Sequence, residues 1–476
     1  MSNLFSGINI ALRAVLAQQQ AIQVIEHNVA NASTPGYRRQ EAVLRALVTT
    51  PTSGLYQNGT PGMIGAGVTV DRIQRFNLEF YDGRFRRETA SARRFELQGE
   101  ILKQVELTLA ETGEDGLANR LDAFWTGWQA LSDDPSNLAL RKDLLERAGG
   151  LADALNWRAS SLIALRKEQN LAIEERVQQI NTLASHVARL NAEIPAKEAN
   201  GIAANDLLDE RDRLINQLSE LTGATAHIQE NGEALVSIGG HSLVVGRKAF
   251  TLTTGPDPLD AALRRITWQE DGQVLAPPSG ELAGIINARD VVIKEQLAGL
   301  NTLAYTLASK VNEMHAAGSD LNGEQGVDFF TGFTPQANYA LEIRLNPEIS
   351  GDPARIAASK GGPGSVGDGS LAMEIAELRN TTLSIDGASV TINGYHISNA
   401  TRLGLEVKDA LRRAKDNRLV ADSLEQLSES VGGVSLDEEA ANLVKAQRAF
   451  QAASRLMTAI DDMLDRIING MGTVGR

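Results

Sequence analysis

His27-Asn28-Val29-Ala30-Asn31-Ala32-Ser33-Thr34-Pro35-Gly36-Tyr37 marks the change from a long helix to an extended arm. Upstream, steps of three and four from Phe5 reach Ile8, Leu12, Val15, Gln19, Ile22, Glu26 and Val29, with Leu4, Leu16 and Ile25 widening the stripe. Apolar positions at that spacing predict an amphipathic helix of about seven turns. The helix ends at the Asn31 to Gly36 run, because Pro35 and Gly36 disfavour continuation and the residue before a proline is pushed to extended geometry.

The other end of the chain mirrors this pattern. Ser435 to Glu438 forms an S-x-x-E capping box, and Leu443, Ala446, Phe450, Ala453, Met457, Ile460, Leu464 and Ile467 are apolar without exception. The helix closes at Asn469 and Gly470. Two such helices at opposite termini pair with each other or are offered to neighbouring subunits. Eight buried apolar side chains contribute roughly 12 to 24 kcal/mol, whereas ordering some 30 residues costs about 30 to 60 kcal/mol of backbone entropy before hydrogen bonding offsets it. A two-helix stem alone is therefore marginal, and both ends are expected to fray in the free monomer and to order on assembly.

Between the ends, residues 40 to 80 read as short extended segments, from Val68, Val70 and Ile73 and the turn pairs Asn58-Gly59 and Pro61-Gly62. Residues 84 to 222 are helical, with Gly149-Gly150 and Pro195 as their breakers. Strands are expected at Ala234 to Ile238, Ser242 to Val245, Phe250 to Thr253 and Arg265 to Gln269. Helix resumes over 281 to 317, and 320 to 370 is rich in loops, most flexible from Gly361 to Gly369. A hairpin is expected over 382 to 397 around Asp386-Gly387, followed by helix over 399 to 430. The fold class is mainly α with a smaller β insertion. It divides into an N-terminal helix and arm (1–75), two parts of a helical domain (76–224 and 281–430), the β-rich insertion (225–280) and a C-terminal helix (431–476).

The chain has 476 residues, with 46 Lys and Arg against 60 Asp and Glu, a net charge of −14. An acidic surface without a basic stripe argues against nucleic acid as a partner. No cysteine is present, which excludes disulfides, thiolate zinc sites and cysteine nucleophiles. No uncharged apolar run approaches the length of a membrane span, so membrane insertion is not expected. The N-terminus lacks a cleavable secretory signal, so export would depend on something other than a removed peptide.

Candidate chemistry is sparse. Gly362, Gly364 and Gly367 match G-x-G-x-x-G, with Asp386 downstream, but Asp352 to Lys360 before them reads as a short helix and Pro363 sits inside the loop, so a linker is the better reading. Asp320, Asn322 and Glu324 have calcium-loop spacing, yet Gln325 stands where the loop needs glycine and Thr331 where it needs glutamate; an Asx-capped turn fits better. The six histidines, His27, His186, His227, His241, His315 and His396, form no metal-binding pair. No G-x-S-x-G motif occurs around Ser365. Phe124, Trp125 and Trp128 read as interhelical packing rather than as a sugar or peptide platform. No catalytic residue, cofactor or metal site is assigned, and the chain is not expected to be an enzyme.

The run from Gln20 to Gln40, carrying Asn28, Asn31, Thr34, Pro35, Gly36 and Tyr37, resembles the N-terminal signature of the bacterial flagellar axial proteins, the rod, hook and hook-associated group. Flagellin shares the helices but not the Ala30 to Tyr37 turn. Further stretches are similar to the hook-associated branch: Leu131-Ser132-Asp133-Asp134-Pro135 with Arg141, Asn205 to Asp212, Gly280 to Asp290, Val311-Asn312, His315, and Gly318 to Phe330. The resemblance spans nearly the whole chain.

It implies a structural adaptor between hook and filament, with terminal helices lining an axial tube and β-rich parts projecting outwards. It also implies a homo-oligomeric ring, contacts with the hook protein and with a second junction protein beside the filament, and a cytoplasmic export chaperone on the C-terminal helix. Its members are exported through the flagellar type III system to the extracellular flagellum without signal cleavage. The interface expected on this basis packs Phe5, Ile8, Leu12, Val15, Ile22 and Val29 against Leu443, Phe450, Met457, Ile460, Leu464 and Ile467 of the same or an adjacent subunit. Two other readings are another axial subunit, of hook or distal rod, and a cell-wall-acting enzyme with axial-type ends.

Overall fold

The computed structural model describes residues 2–47, 65–76, 78–109, 116–332, 338–361 and 367–470, with side chains from 7 to 467. The chain opens with α1 (Ser2–Ala30), then pairs β1 (Gln40–Ala46) antiparallel with β2 (Val68–Arg75), Gln40 facing Arg75 and Ala46 facing Val68, around an irregularity at Val43/Leu44. Four helices follow: α2 (Glu79–Leu109), α3 (Leu117–Asp133), α4 (Leu138–Ala199) and α5 (Asn205–Thr222). The insertion holds β3 (Thr225–Ile228), β4 (Ala234–Ile238), β5 (His241–Val245) and β6 (Lys248–Ala249) as one antiparallel sheet in chain order. A separate antiparallel ribbon pairs β7 (Leu252–Pro256) with β8 (Arg264–Trp268).

Helix returns with α6 (Gly280–Asn287), a π turn over Ala288–Val292 and α7 (Ile293–Ala317). Short pieces come next: β9 (Phe330–Thr331), α8 (Tyr339–Glu342), β10 (Arg344–Leu345), α9 (Pro347–Gly351) and α10 (Ser370–Glu377). The hairpin of β11 (Leu383–Ile385) and β12 (Ala388–Val390) leads into α11 (Ile392–Gly432) and α12 (Leu436–Gly470). The architecture is mainly α with a smaller β insertion, as the sequence pattern predicts.

The spine is α4, 62 residues long. Its second half buries Ile173, Val177, Ile180, Ala184, Val187, Asn191 and Ile194, a four-three repeat that keeps one face against the core. Gly149, Gly150 and Pro195 do not break it, contrary to their reading as breakers. Any side chain at Gly150 would meet the Arg120 guanidinium 2.9 Å from its Cβ, so the glycine admits that contact. Pro195 lies in the last turns, where few downstream residues depend on it.

Three asparagines of α4 hold the β insertion. The side-chain amide of Asn181 bonds both the N–H and the carbonyl of Leu252 at 2.9 and 2.8 Å, and Asn191 does the same for Ala234. Asn170 accepts from the Arg264 N–H and donates to the Ala262 carbonyl. Each amide pairs backbone groups of the insertion, which explains polar residues on a packed helix face.

Other expectations need adjustment. The hairpin stops at Val390, because Thr391 caps a helix starting at Ile392 by accepting from the Gly394 N–H; residues 392–397 are helix, not strand. The turn itself is as read, with Asp386 and Gly387 at φ 50° and 80°. Within Asp352 to Lys360 only Pro353–Arg355 forms a turn of 3-10 helix. The expected strand Phe250 to Thr253 shifts to β7, and β3 had no clear alternation to announce it. Asp320 makes the expected Asx turn, its Oδ1 accepting from the N–H groups of Asn322 and Glu324. Asn58-Gly59, Pro61-Gly62, Gly362, Pro363, Gly364 and Ser365 lie outside the described residues.

Phe124, Trp125 and Trp128 are buried in the core with Phe329 and Phe330, and His315 joins them with its ring centroid 6.2 Å from that of Trp128. His315 Nε2 accepts from the Ala357 N–H at 2.8 Å, so Nδ1 carries the proton and donates to the Val327 carbonyl. Burial, reinforced by Arg141, lowers the imidazole pKa to about 4 despite the Val327 bond. The unfolded chain then binds one more proton between pH 6.5 and about 4, so stability falls as pH drops through that window, by about 3 kcal/mol in all. Urea midpoints at pH 7, 5.5 and 4.5 measure this, and His315→Gln is expected to remove this residue's share of the slope.

Candidate functional site

The tail pair is antiparallel. A Cβ on Gly7 would lie 3.1 Å from Ile460 Cδ1, and Asn28 bonds Glu439, so 21 residues along α1 match 21 residues along α12 in the opposite direction. The face of α12 turned to α1 contains Leu443, Ala446, Phe450, Ala453, Met457, Ile460, Leu464 and Ile467, all buried or half-buried.

The expected set on α1 divides. Ile8, Val15 and Ile22 are half-buried, Leu12 and Val29 are exposed, and Phe5 lies in the helix with its side chain outside the description. The fully covered positions are Ala11, Ala17, Val24 and Asn28. Small residues let α12 and the arm approach the α1 backbone closely, which a reading based on large apolar side chains passes over. On the arm side, Gly67 sits against Ile10, where a Cβ would be 3.3 Å from the Ile10 Cα.

At the inner end of the pair is a buried polar joint. Asn28 is 1% exposed and uses every donor and acceptor of its amide. Its Nδ2 donates to the Gln40 carbonyl at 2.8 Å and to Glu439 Oε2 at 3.1 Å; its Oδ1 accepts from the Gln40 N–H at 3.0 Å and the Tyr37 hydroxyl at 2.8 Å. Because the Tyr37 proton goes to Asn28, His27 Nδ1 donates to the hydroxyl oxygen. Burial, then Asp206, Asp209 and Glu439, pushes the Tyr37 phenol pKa up, so it stays a donor. Asn31 and Thr34 close the turn: Asn31 Nδ2 donates to the His27 carbonyl, and the Thr34 hydroxyl donates to Asn31 Oδ1. Pro35 is exposed, and Gly36 takes φ 80°, which a residue with a Cβ rarely adopts. Arg39 crosses to Glu439 at 2.7 Å and Glu438 at 3.1 Å, tying the arm to the first turn of α12.

The same arm is fixed to the helical domain through α5. Gln40 Nε2 donates to Asp206 Oδ1 and its Oε1 accepts from Asn205. Arg75 pairs with Asp209 at 2.6 Å and Asp212 at 2.7 Å, and Arg86 adds Asp212 and Asn216. Burial opposes the charged form of Asp212, but Arg75, Arg86 and Arg38 outweigh it and hold its carboxyl below the ordinary range. Burial wins at Asp209, whose pKa is raised despite Arg75 and Arg38.

The remaining resembling stretches are structural. Arg141 donates to the carbonyls of Pro135 and Ile356, and Asn312 bonds both the N–H and the carbonyl of Phe330. Gly280 has φ 79° and abuts the α5 end, where a Cβ would come 2.5 Å from the Thr222 nitrogen. A cleft of about 260 Å³ lies over the turn, between Asn31, Thr34 and Tyr37 on one side and Asp206, Glu210 and Arg213 on the other. Among the described residues no group of three His, Asp or Glu side chains could hold a metal, and no helix is long and apolar enough to cross a membrane.

Comparison with known proteins agrees with this layout. Residues 102–330 match the family model for the helical domain of the flagellar hook-associated protein FlgK. The two ends match models of rod proteins: residues 8–38 the flagella basal body rod protein, and residues 430–470 the C-terminal part of the flagellar basal body rod FlgEFG proteins. Tail pair, joint and helical domain thus make up an axial protein of the flagellum. Within that class, the chain is similar to the hook-associated proteins, in its helical domain and along its length.

Flagellar hook-associated protein 1 of Bacillus subtilis is 29% identical over 510 aligned positions, covering 100% of both chains. That of Escherichia coli is 24% identical, covering 98% of this chain and 99% of its own. The Salmonella typhimurium protein of the same name is 29% identical over 68% of this chain and 59% of its own. The flagellar hook junction protein FlgK from Burkholderia pseudomallei shares the fold, with a TM-score of 0.65 at 15% identity over 74% of this chain and 100% of that one.

Proposed function

We propose that the tail pair is the assembly element of a structural subunit at the junction of hook and filament, a role that follows from the family. The carrying observation is that the pair leaves a second apolar surface uncovered. Leu12, Leu16 and Val29 on α1 are 41%, 55% and 43% exposed. On α12, Ala449, Ala452, Leu456, Ala459 and Met463 repeat at the three-four step, and all are exposed. A seam beside the one already used is what a helix needs to meet neighbours on two sides.

Copies of the chain would close into a ring, with the hook protein on one side and a second junction protein towards the filament. The division of labour we infer assigns 1–75 and 431–476 to assembly, 76–224 and 281–430 to a rigid spacer, and 225–280 to the outer surface. The same marginal tails suit export through the flagellar type III channel and capture of the C-terminal helix by a cytoplasmic chaperone. The role needs no catalysis. The tails would be weakly protected from amide exchange in dilute monomer and strongly protected after assembly; equal strong protection in both states would count against this. Deletion of the gene tests the role itself: hooks should form, filaments should not, and flagellin should appear in the medium, whereas normal filaments would refute it.

A further inference from the structure

We infer that Glu439 is a register-setting residue: its buried contacts with Asn28 and Arg39 select one alignment of the two terminal helices from several that the apolar seam alone would accept. Glu439 stands four residues before Leu443 and seven before Ala446, so it occupies a seam position of the same heptad. It is 1% exposed, between Asn28 Nδ2 at 3.1 Å and Arg39 Nε at 2.7 Å. It is the one carboxylate on a stripe whose other members are Leu, Ala, Phe, Met and Ile.

The apolar part of that stripe discriminates poorly. Sliding α12 by seven residues puts Leu464 where Met457 was, Met457 where Phe450 was, and Ile467 where Ile460 faces Gly7. Apolar groups replace apolar groups throughout, and the small face of α1 offers few knobs to resist. In that slipped alignment Ala446 would face Asn28, and Glu439 would move about 10 Å along the axis. Arg39 would lose its buried carboxylate and the first turns of α12 would loop out. A lone polar residue on an apolar seam is a known way of fixing register, at some expense in stability. The lock also sets which outer face the pair presents, because Asn28 and Gln40 connect it to α5.

The chain has no cysteine, so introduced pairs report the alignment directly. The native pair is Gly7→Cys with Ile460→Cys; the slipped pair is Gly7→Cys with Ile467→Cys. In the otherwise unchanged chain, only the native pair should give an intramolecular disulfide. With Glu439→Leu added, the slipped disulfide should rise by roughly a hundredfold while helicity is retained, as expected when a buried charged contact no longer penalises the alternative. Glu439→Gln keeps a hydrogen-bonding oxygen for Asn28 but loses the charge facing Arg39, so it should stay mostly native in register with a small slipped fraction above that of the unchanged chain. Native disulfides alone in the folded Glu439→Leu chain would overturn the inference, and so would a slipped register in the unchanged chain. If Glu439→Leu fails to fold, slipped disulfides in Glu439→Gln above the unchanged chain support the lock, and their absence overturns it. The readout is within one molecule, so it stands or falls separately from ring assembly.

Discussion

Leu464→Asp should abolish incorporation into flagella and reduce swimming to the level of a deletion strain, while the helical domain keeps its stability within about 0.5 kcal/mol. Leu464 is 9% exposed on the face that packs on α1, and among the described residues α1 is the main partner of α12. A carboxylate there must either stay charged among apolar side chains or leave the seam, and either outcome separates the tails. Met457→Asp, one heptad earlier and half-buried, should act in the same direction. Export can be separated from assembly by measuring the variant in the medium. A secreted variant that fails to join hooks fits the proposed interface, and a variant that assembles and supports normal swimming contradicts it.

The second large effect is expected at the joint. Asp212→Ala removes the carboxylate shared by Arg75 and Arg86, both of which are largely buried. Taking one partner from a buried ionic cluster leaves the others uncompensated, so the full chain should lose about 3 to 5 kcal/mol in urea unfolding. The arm carrying residues 65–76 should then become accessible to protease ahead of the helical core. Because the carboxyl is held below its ordinary pKa, its contribution is present above the unfolded value and is lost as pH falls through the lower folded one. That loss comes at lower pH than the onset of the His315 effect. An Asp212→Ala chain as stable as the parent would show that the arm is held by the apolar seam alone.

What could be read from the sequence follows side-chain size and local periodicity. The seam of α12 was legible because large apolar groups at Leu443, Phe450, Met457 and Leu464 mark it. The partner face of α1 was not, since Gly7, Ala11 and Ala17 make contact by being small, and a search for large residues lands one strip away on Leu12 and Val29. The Asp386-Gly387 turn was readable because both residues tolerate positive φ. The length of α4 was hidden by Gly149, Gly150 and Pro195, whose local preferences yield to tertiary packing along the helix.

The polar joint shows the same division. Asn28 and Tyr37 stood out only through family resemblance, and Asn205 to Asp212 likewise, with nothing local to say that α5 receives the arm. Glu439, Arg39 and Gln40 were missed. One signal did exist for Glu439: a charged residue in phase with an otherwise unbroken apolar heptad. The asparagines of α4 gave none, because amides that clamp strands far along the chain look like ordinary solvent-facing residues.

In the assembly we propose, other copies of the chain and neighbouring tube components complete the tails. Adding the purified chain to isolated hooks that lack it, and imaging them by electron microscopy with a label on residues 225–280, puts this to the test. A short labelled collar should appear at one end of each hook and be absent when Leu464→Asp is used. A chain that leaves hook ends bare, or one that polymerises by itself into long tubes, would contradict it.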